Sequence, residues 1–374
     1  MKILQVSKFY KPVMGGIERV AWELAEGLGR VGVRSDVLCS NQQRDTVVEH
    51  QPAGYDVVRA GSFGMVLSTS MAPAMVRELR RLASQHELIH LHMPDPMAAL
   101  ALFLVRPRVP VVVHWHSDVI RQRKAMKLYE PLQTWLLRRA DAIIATSQAY
   151  ADSSEPLRAW RSKVRVIPIG ISDDRAPADV AAADMLRQRY GGRRIVFALG
   201  RMAYYKGFDV LIRAAAALPD DTVVLIGGDG EMLPQLRAQV TSQGLGHKVR
   251  LLGHVQDGEL AGYFLACDVF CMSSTVRSEA YGVVLLEAMM MGKPIIATDI
   301  VGSGVPWVNR HGLTGFNVPV GQPDELARLL SQLLADDALR ARLGQAARER
   351  YLREFDAVLM TQHVVDLYRR LLAH

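Results

Sequence analysis

Short apolar runs alternate with longer segments of helical period along this 374-residue chain. The first run is Ile3–Val6. From Ile17 to about Val31, Val20, Leu24 and Leu28 then mark one face of an amphipathic helix. Runs at Ser35–Cys39, Leu88–Leu91, Pro110–His114, Ala142–Ala145 and Val164–Ile167 have the length of strands. Apolar runs separated by helical segments predict parallel sheets. The pattern breaks where Pro168-Ile169-Gly170-Ile171 leads into the polar Ser172-Asp173-Asp174-Arg175-Ala176-Pro177. It restarts at Arg194 with Ile195-Val196-Phe197-Ala198-Leu199-Gly200. Strands are expected again at Thr222–Ile226, Val249–Leu252, Val269–Met272 and Pro294–Thr298, and helical periodicity fills about Pro323 to Leu372. The reading is an α/β protein of two Rossmann-like halves, 1–170 and 171–355, with a linker near 168–192. Ligand is expected between the halves, outside the carboxyl ends of the strands.

Composition supports a soluble globular chain, at 49% hydrophobic and 22% charged residues. The longest apolar stretch, around Met97 to Val105, is far short of the roughly 20 residues that span a bilayer. The start, Met-Lys and a strand-like run, does not resemble a signal peptide, so a cytoplasmic location is expected. Cys39, Cys267 and Cys271 are too few for a disulfide framework and read as packed thiols. The net charge of +7 is uneven. Residues 1–170 hold 23 Lys/Arg against 15 Asp/Glu, and the remainder 22 against 23. The basic excess belongs to the first half and suggests an anionic surface or acceptor there. No nucleic-acid partner is expected.

Glu279 and Glu287 carry the strongest chemical signal. Seven residues separate them, Gly282 reads as the turn opening a helix, and Gly292-Lys293-Pro294 as its close. Glu279 would lie on the loop before the helix and Glu287 inside it. A helix N-terminus suits an anionic group, so the carboxylates could grip a sugar and a ribose on either side of a diphosphate. Arg201, at a strand end, and Lys206, at the next helix start, can neutralise that diphosphate. Gly15-Gly16, between the first strand and helix, allow a close backbone approach to phosphate or sugar. The chain has no Gly-x-Gly-x-x-Gly, which disfavours a dinucleotide cofactor and a dehydrogenase.

The stretch Arg277–Ala288 resembles the glutamate–seven–glutamate signature of retaining, nucleotide-sugar-dependent glycosyltransferases of family 4, which have the GT-B fold. Gly15-Gly16-Ile17-Glu18-Arg19, Gly200-Arg201 with Lys206-Gly207, Gly227-Gly228-Asp229-Gly230, and Ser303-Gly304 with Gly312-Leu313-Thr314-Gly315 follow in the family's order. The resemblance implies that Glu279 contacts the donor sugar and stabilises positive charge at its anomeric carbon, and that Glu287 binds the ribose. Arg201 and Lys206 clamp the diphosphate, the N–H groups of Tyr281, Gly282 and Val283 contact diphosphate or sugar, and the Gly15-Gly16 loop lies against donor phosphate and acceptor. A histidine past the fourth long strand commonly touches the donor sugar; the His-Ser-Asp pattern assigns this to His116, with Asp118 a weaker acceptor-side candidate. The last helix, residues 356–374, is expected to cross back to the first domain.

The same resemblance implies front-face attack, with a donor phosphate oxygen helping to take the acceptor proton. It also implies metal-independent binding, consistent with the lack of an Asp-x-Asp triplet. No metal ligands and no cofactor beyond the sugar-nucleotide donor are expected. Trp115–Val119, Arg277–Ala280 and Gly302–Asn309 are similar to bacterial mannosyl- and rhamnosyltransferases of surface-polysaccharide assembly, which use GDP-mannose or GDP-rhamnose on a lipid-linked glycan acceptor. The alternatives are a UDP- or ADP-sugar enzyme making a glycolipid or glucan, and a non-catalytic sugar-nucleotide-binding scaffold. Two basic amphipathic segments, Val119–Arg139 (with Arg121, Arg123, Lys124 and Lys127) and Met71–Arg81, are candidates for contact with an anionic membrane.

Overall fold

The computed structural model describes residues 1–13, 15–67, 69–119, 123–173 and 180–373, with the backbone alone at 123–127. The linker residues 174–179 and the side chains of Arg121, Arg123, Lys124 and Lys127 therefore lie outside the described residues. The chain divides into two compact units, residues 1–172 with 357–374, and residues 173–356.

The N-terminal unit holds β1 (Lys2–Val6), β2 (Arg34–Ser40), β3 (Val47–His50), β4 (Asp56–Ala60), β5 (Met65–Val66), β6 (Thr69–Ser70), β7 (Leu88–Met93), β8 (Val111–Trp115), β9 (Ala142–Ala145) and β10 (Val164–Val166). Eight of these form one sheet in the order β10-β9-β8-β7-β1-β2-β4-β3, parallel except at β3. β5 and β6 form a separate hairpin. The central strands are the ones the apolar runs predicted, because β1, β7 and β8 are buried on both faces.

β3 and β4 were not anticipated. β3 is an edge strand facing solvent and has no apolar run to betray it, and β4 is interrupted by Asp56 and Arg59. Helix Gly16–Arg30 buries Val20, Leu24 and Leu28 as expected. The last helix, Ala357–Leu372, packs on it, and Gly27 makes room: a Cβ there would fall 2.2 Å from Thr361 Oγ1.

The C-terminal unit holds β11 (Arg194–Leu199), β12 (Thr222–Gly227), β13 (Val249–Gly253), β14 (Val269–Met272), β15 (Ile295–Asp299) and β16 (Gly315–Pro319). They pair in parallel in the order β13-β12-β11-β14-β15-β16. This is the doubly wound order: the chain runs outward from β11 to β13, then returns to start again at β14 on the other side of β11. β16 was also missed, because the glycine-rich segment before it reads as a turn. Cys267 and Cys271 are buried free thiols, as expected, and burial pushes each up to about 12.

The loops after β11 and β12 interlock through glycine. Gly228 has φ +129, and a Cβ on it would lie 1.9 Å from the Gly200 carbonyl oxygen. Both the conformation and the space exclude a side chain. Gly228→Ala should therefore destabilise the protein by about 2 kcal/mol or more, read as a shifted urea midpoint; a change under about 0.5 kcal/mol would show that the loops part freely.

Candidate active site

In the C-terminal unit the switch point lies between β11 and β14, and the predicted residues gather there. After β11 the chain passes Gly200 and the exposed Arg201, makes a tight turn at Tyr204–Lys206, and opens the helix Phe208–Ala215 at Gly207. Gly207 is left-handed, with φ +62, and a Cβ on it would meet the Ser273 carbonyl oxygen at 2.1 Å. The loops after β11 and β14 thus close on each other. Ser273 Oγ donates to the Lys206 carbonyl at 3.0 Å, and the Thr275 N–H to the Tyr205 carbonyl at 2.7 Å.

That closure sets Lys206 against Glu279, 73 positions later in the chain. Lys206 Nζ donates to Glu279 Oε2 at 2.5 Å, and Ser274 Oγ donates to the same oxygen at 2.9 Å. The two side chains are only 12% and 11% exposed. Burial draws the Lys206 ammonium down, but the Glu279 carboxylate outweighs it and leaves the pKa raised, so the pair is ionic. The Arg201 charge acts on Lys206 in the opposite sense, as a second cation nearby. The Ser303-Gly304 loop brackets the Glu279 backbone: Ser303 Oγ donates to the Glu279 carbonyl, and the Gly304 N–H to the Ala280 carbonyl at 2.7 Å.

Gly282, at φ +79, opens the helix Val283–Met290, and Glu287 sits half-buried on it, as the spacing predicted. The first N–H groups of the helix, at Val283 and Val284, have no intrahelical acceptor. The Tyr281 ring turns inward against Trp307 and Phe355, at 6.2 and 6.4 Å between centroids, so what it offers a ligand is backbone. Ser273, Ser274 and Ser303 were missed as members of this site, although they follow directly on β14 or belong to a recognised motif.

The N-terminal unit has its own switch point, between β1 and β7. Gly15 caps the helix that begins at Gly16. A Cβ on Gly15 would lie 2.6 Å from Glu18 Oε2, so this loop brings a carboxylate to the position where the sequence suggested a phosphate. Burial raises the pKa of Glu18 and pushes Asp95, at the end of β7, up to about 6. Asp118 Oδ1 accepts from the Trp115 indole at 2.8 Å and from Ser154 Oγ at 2.7 Å, which ties it to the scaffold.

His116 lies just past β8 and is buried, its N–H donating to the Met93 carbonyl at 3.0 Å. It ends a ladder of four buried histidines that sequence reading missed. His90 and His92 share a face of β7, and His114 and His116 continue it from β8. His90 Nε2 meets His114 Nδ1 at 3.2 Å, His92 Nδ1 meets His116 Nε2 at 3.0 Å, and the His114 and His116 rings stack 4.1 Å apart. His90 Nδ1 meets Tyr368 of the last helix at 2.6 Å, and His92 Nε2 meets Gln5 Oε1 at 2.8 Å.

Nitrogens of His90, His92 and His114 lie within 4.8 Å of one another, near enough to share a metal ion. Hydrogen bonds to rings, Tyr368 and Gln5 already engage both nitrogens of His90 and of His92. The signal was present in the sequence: His at 90 and 92, and again at 114 and 116, is period-two spacing on predicted strands.

Two Rossmann-like units, each with its polar groups at the switch point of its sheet, define the GT-B architecture. The match in overall fold is close. A sucrose-phosphate synthase from Thermosynechococcus elongatus superimposes with a TM-score of 0.84 at 23% identity, covering 100% of this chain and 99% of that one. HepE of Anabaena in complex with UDP-glucose gives 0.79 at 25% identity, over 99% and 100%.

Residues 14–175 match the model described as Glycosyltransferase Family 4, and residues 187–350 the model described as Glycosyl transferases group 1. The chain is 35% identical to the D-rhamnosyltransferase WbpZ of Pseudomonas aeruginosa, over 96% of this chain and 93% of that protein. It is 30% identical to the O-antigen chain mannosyltransferase C of Escherichia coli, over 100% and 99%. The chain belongs to the family 4, group 1 glycosyltransferases.

The histidine ladder has a consequence for stability. Burial holds all four rings well below the ordinary histidine value, His114 at about 3, so they fold neutral. Above about pH 6.5 the unfolded rings are neutral too, and stability is fully present. As pH falls below that value the unfolded rings take up protons that the folded ones refuse. The loss between pH 7.5 and 6 should be on the order of 3 kcal/mol for the four rings together. The raised carboxyls oppose this only from about pH 6 downward, where Asp95 titrates. Urea unfolding at pH 7.5, 7, 6.5 and 6 measures the slope; a flat profile would mean that the folded ladder already carries protons.

Proposed function

We propose that this enzyme is a retaining hexosyltransferase of bacterial surface-polysaccharide or lipopolysaccharide assembly. It takes its sugar from a nucleoside diphosphate sugar, with GDP-mannose and GDP-rhamnose the first candidates, and extends a lipid-linked glycan. The observation that carries this reading is the buried Lys206–Glu279 ion pair at the switch point of the C-terminal sheet, beside Arg201 and one short turn before the helix that holds Glu287. The rhamnosyl- and mannosyltransferase relatives support the choice of sugar. A UDP-sugar donor is the second reading, supported by the likeness to HepE with UDP-glucose bound.

In this reading the C-terminal unit binds the donor. Arg201, Lys206 and the N–H groups of Gly282 and Val283 hold the diphosphate, and Glu287 accepts hydrogen bonds from the ribose hydroxyls. The two cations supply the charge neutralisation for which other transferases use a metal, so no metal is required. Glu279 faces the sugar and stabilises the positive charge that grows at the anomeric carbon. His116 contributes a sugar contact from the N-terminal unit, which also takes the acceptor, with the Gly15-Gly16 loop beside it. The bond from the anomeric carbon to the diphosphate breaks, the acceptor oxygen bonds to the same face, and a diphosphate oxygen takes the acceptor proton.

The acceptor's lipid suggests a membrane surface, located in the cell on the cytoplasmic side. No described helix is long and apolar enough to cross a membrane. The β5–β6 hairpin nevertheless exposes Phe63, Met65, Val66, Leu67 and Met71, with Phe63 71% and Leu67 65% exposed. Leu67 also has φ +47, a conformation unfavourable for its side chain. Arg44 lies over the Phe63 ring, and Arg77, Arg80 and Arg81 are exposed on the helix that follows. An apolar tip with a basic rim fits an anionic lipid surface.

Two experiments test these assignments. Glu279→Gln should lower kcat far more than nucleotide affinity, whereas Glu287→Ala should weaken donor binding, because one acts on transition-state charge and the other on the ground state. Equal losses of nucleotide affinity by calorimetry would refute the division. For the membrane, the protein should float with anionic vesicles, and Phe63→Ser with Leu67→Ser should weaken this by tenfold or more, as burial of each is worth about 1.5–3 kcal/mol. Unchanged flotation of the double variant would clear the hairpin of that role.

A further inference from the structure

The hydrogen bonds behind His116 specify which of its nitrogens carries the proton. The Gln5 amide nitrogen donates to Ser35 Oγ at 2.9 Å, which leaves its carbonyl oxygen against His92 Nε2 at 2.8 Å. An amide oxygen only accepts, so His92 donates from Nε2. A neutral imidazole holds one proton, so the His92 Nδ1 carries a lone pair. That lone pair faces His116 Nε2 at 3.0 Å, and His116 must therefore donate from Nε2. The remaining nitrogen of His116, Nδ1, is then an acceptor. Gln5, Ser35 and His92 are all buried to within 1% of full occlusion, so water does not compete for these bonds.

We infer that Gln5 and His92 are positioning residues that fix His116 as its Nε2–H tautomer and present Nδ1 to the substrate as a hydrogen-bond acceptor. This determines the chemical class that His116 can recognise. An acceptor nitrogen binds a hydroxyl group and repels a phosphate oxygen, so His116 reads the transferred sugar and not the diphosphate. The inference deepens the proposed function and rests, for its catalytic consequence, on His116 contacting the sugar. The tautomer itself does not depend on that contact. It is the second-neighbour control by which a ring nitrogen's partner decides what the other nitrogen can do.

The test uses the full-length protein with 15N-labelled histidine. Long-range proton–nitrogen correlations should show the Nε2–H form of His116 in the wild type. Gln5→Leu removes the acceptor behind His92 and should convert His116 to a mixture of tautomers, lowering kcat by about tenfold with unchanged affinity for nucleoside diphosphate. A wild-type Nδ1–H form, or a Gln5→Leu variant with its tautomer unaltered, would overturn the inference. The wild-type spectrum decides the matter alone if the leucine variant does not fold. Should His116→Ala leave kcat intact while the wild-type spectrum shows the Nε2–H form, the sugar contact is wrong and the relay stands.

Discussion

The C-terminal unit is organised around one ion pair formed across a gap that the topology creates. β11 and β14 are neighbours in the sheet, but the chain leaves β11 toward β12 on one side and leaves β14 toward β15 on the other. Their connections leave in opposite directions along the sheet, the arrangement that opens a ligand crevice in doubly wound sheets, and here the two loops are drawn together across it. Lys206 and Glu279 bridge it. Removing a lysine and a glutamate from water is costly, and their attraction repays it only with good geometry and further hydrogen bonds. Ser274 supplies one on Glu279, and the contacts Ser273–Lys206 and Thr275–Tyr205 hold the two loops at the required spacing. Gly207 is the backbone condition for all of them, because any side chain there would strike Ser273.

The N-terminal unit repeats the topology with the opposite electrostatics. Its switch point is fringed by neutral imidazoles, stacked and hydrogen-bonded, and by carboxyls whose pKa values burial raises. The ladder also explains how the last helix is held, since Tyr368 reaches His90 and Thr361 fits against Gly27. A single buried network thus orders the ring at the end of β8 and anchors the chain's C-terminal helix. Its members are polar, but each hydrogen bond formed inside removes a demand for water, which makes deep burial tolerable.

What the sequence disclosed follows from range. Central strands were legible because burial on both faces requires largely apolar runs: those of β11 and β12 are unbroken, and those of β1 and β7 are interrupted only by Gln5 and by His90 and His92. β3, β4 and β16 lie at or near the sheet edges, where that requirement lapses. The helix between Gly282 and Gly292 was legible because its start and stop are local. The pairing of Lys206 with Glu279 was not, since no local rule ties residues 73 positions apart; each was found separately, through spacing and family resemblance. The histidine ladder was legible in principle. His116 was weighed as a single residue and His90 and His92 not at all, so the shared period-two spacing on adjacent strands went unused. Helical periodicity likewise identified the last helix as amphipathic without indicating the surface it covers.

The contrast between the two units suits the proposed chemistry. Charge stays with the diphosphate throughout a sugar transfer, so cations belong on the unit that binds the nucleotide and remain useful after the bond breaks. The sugar itself is uncharged and rich in hydroxyl groups. A protonated histidine would attract an anion in place of a hydroxyl group. Burying four imidazoles together prevents this: each ring's desolvation penalises its cation, and a proton on one would repel protonation of the next. In the proposed function, the same burial that makes the ladder a liability to stability in acid suits a neutral His116 to a hydroxyl group and not to an anion.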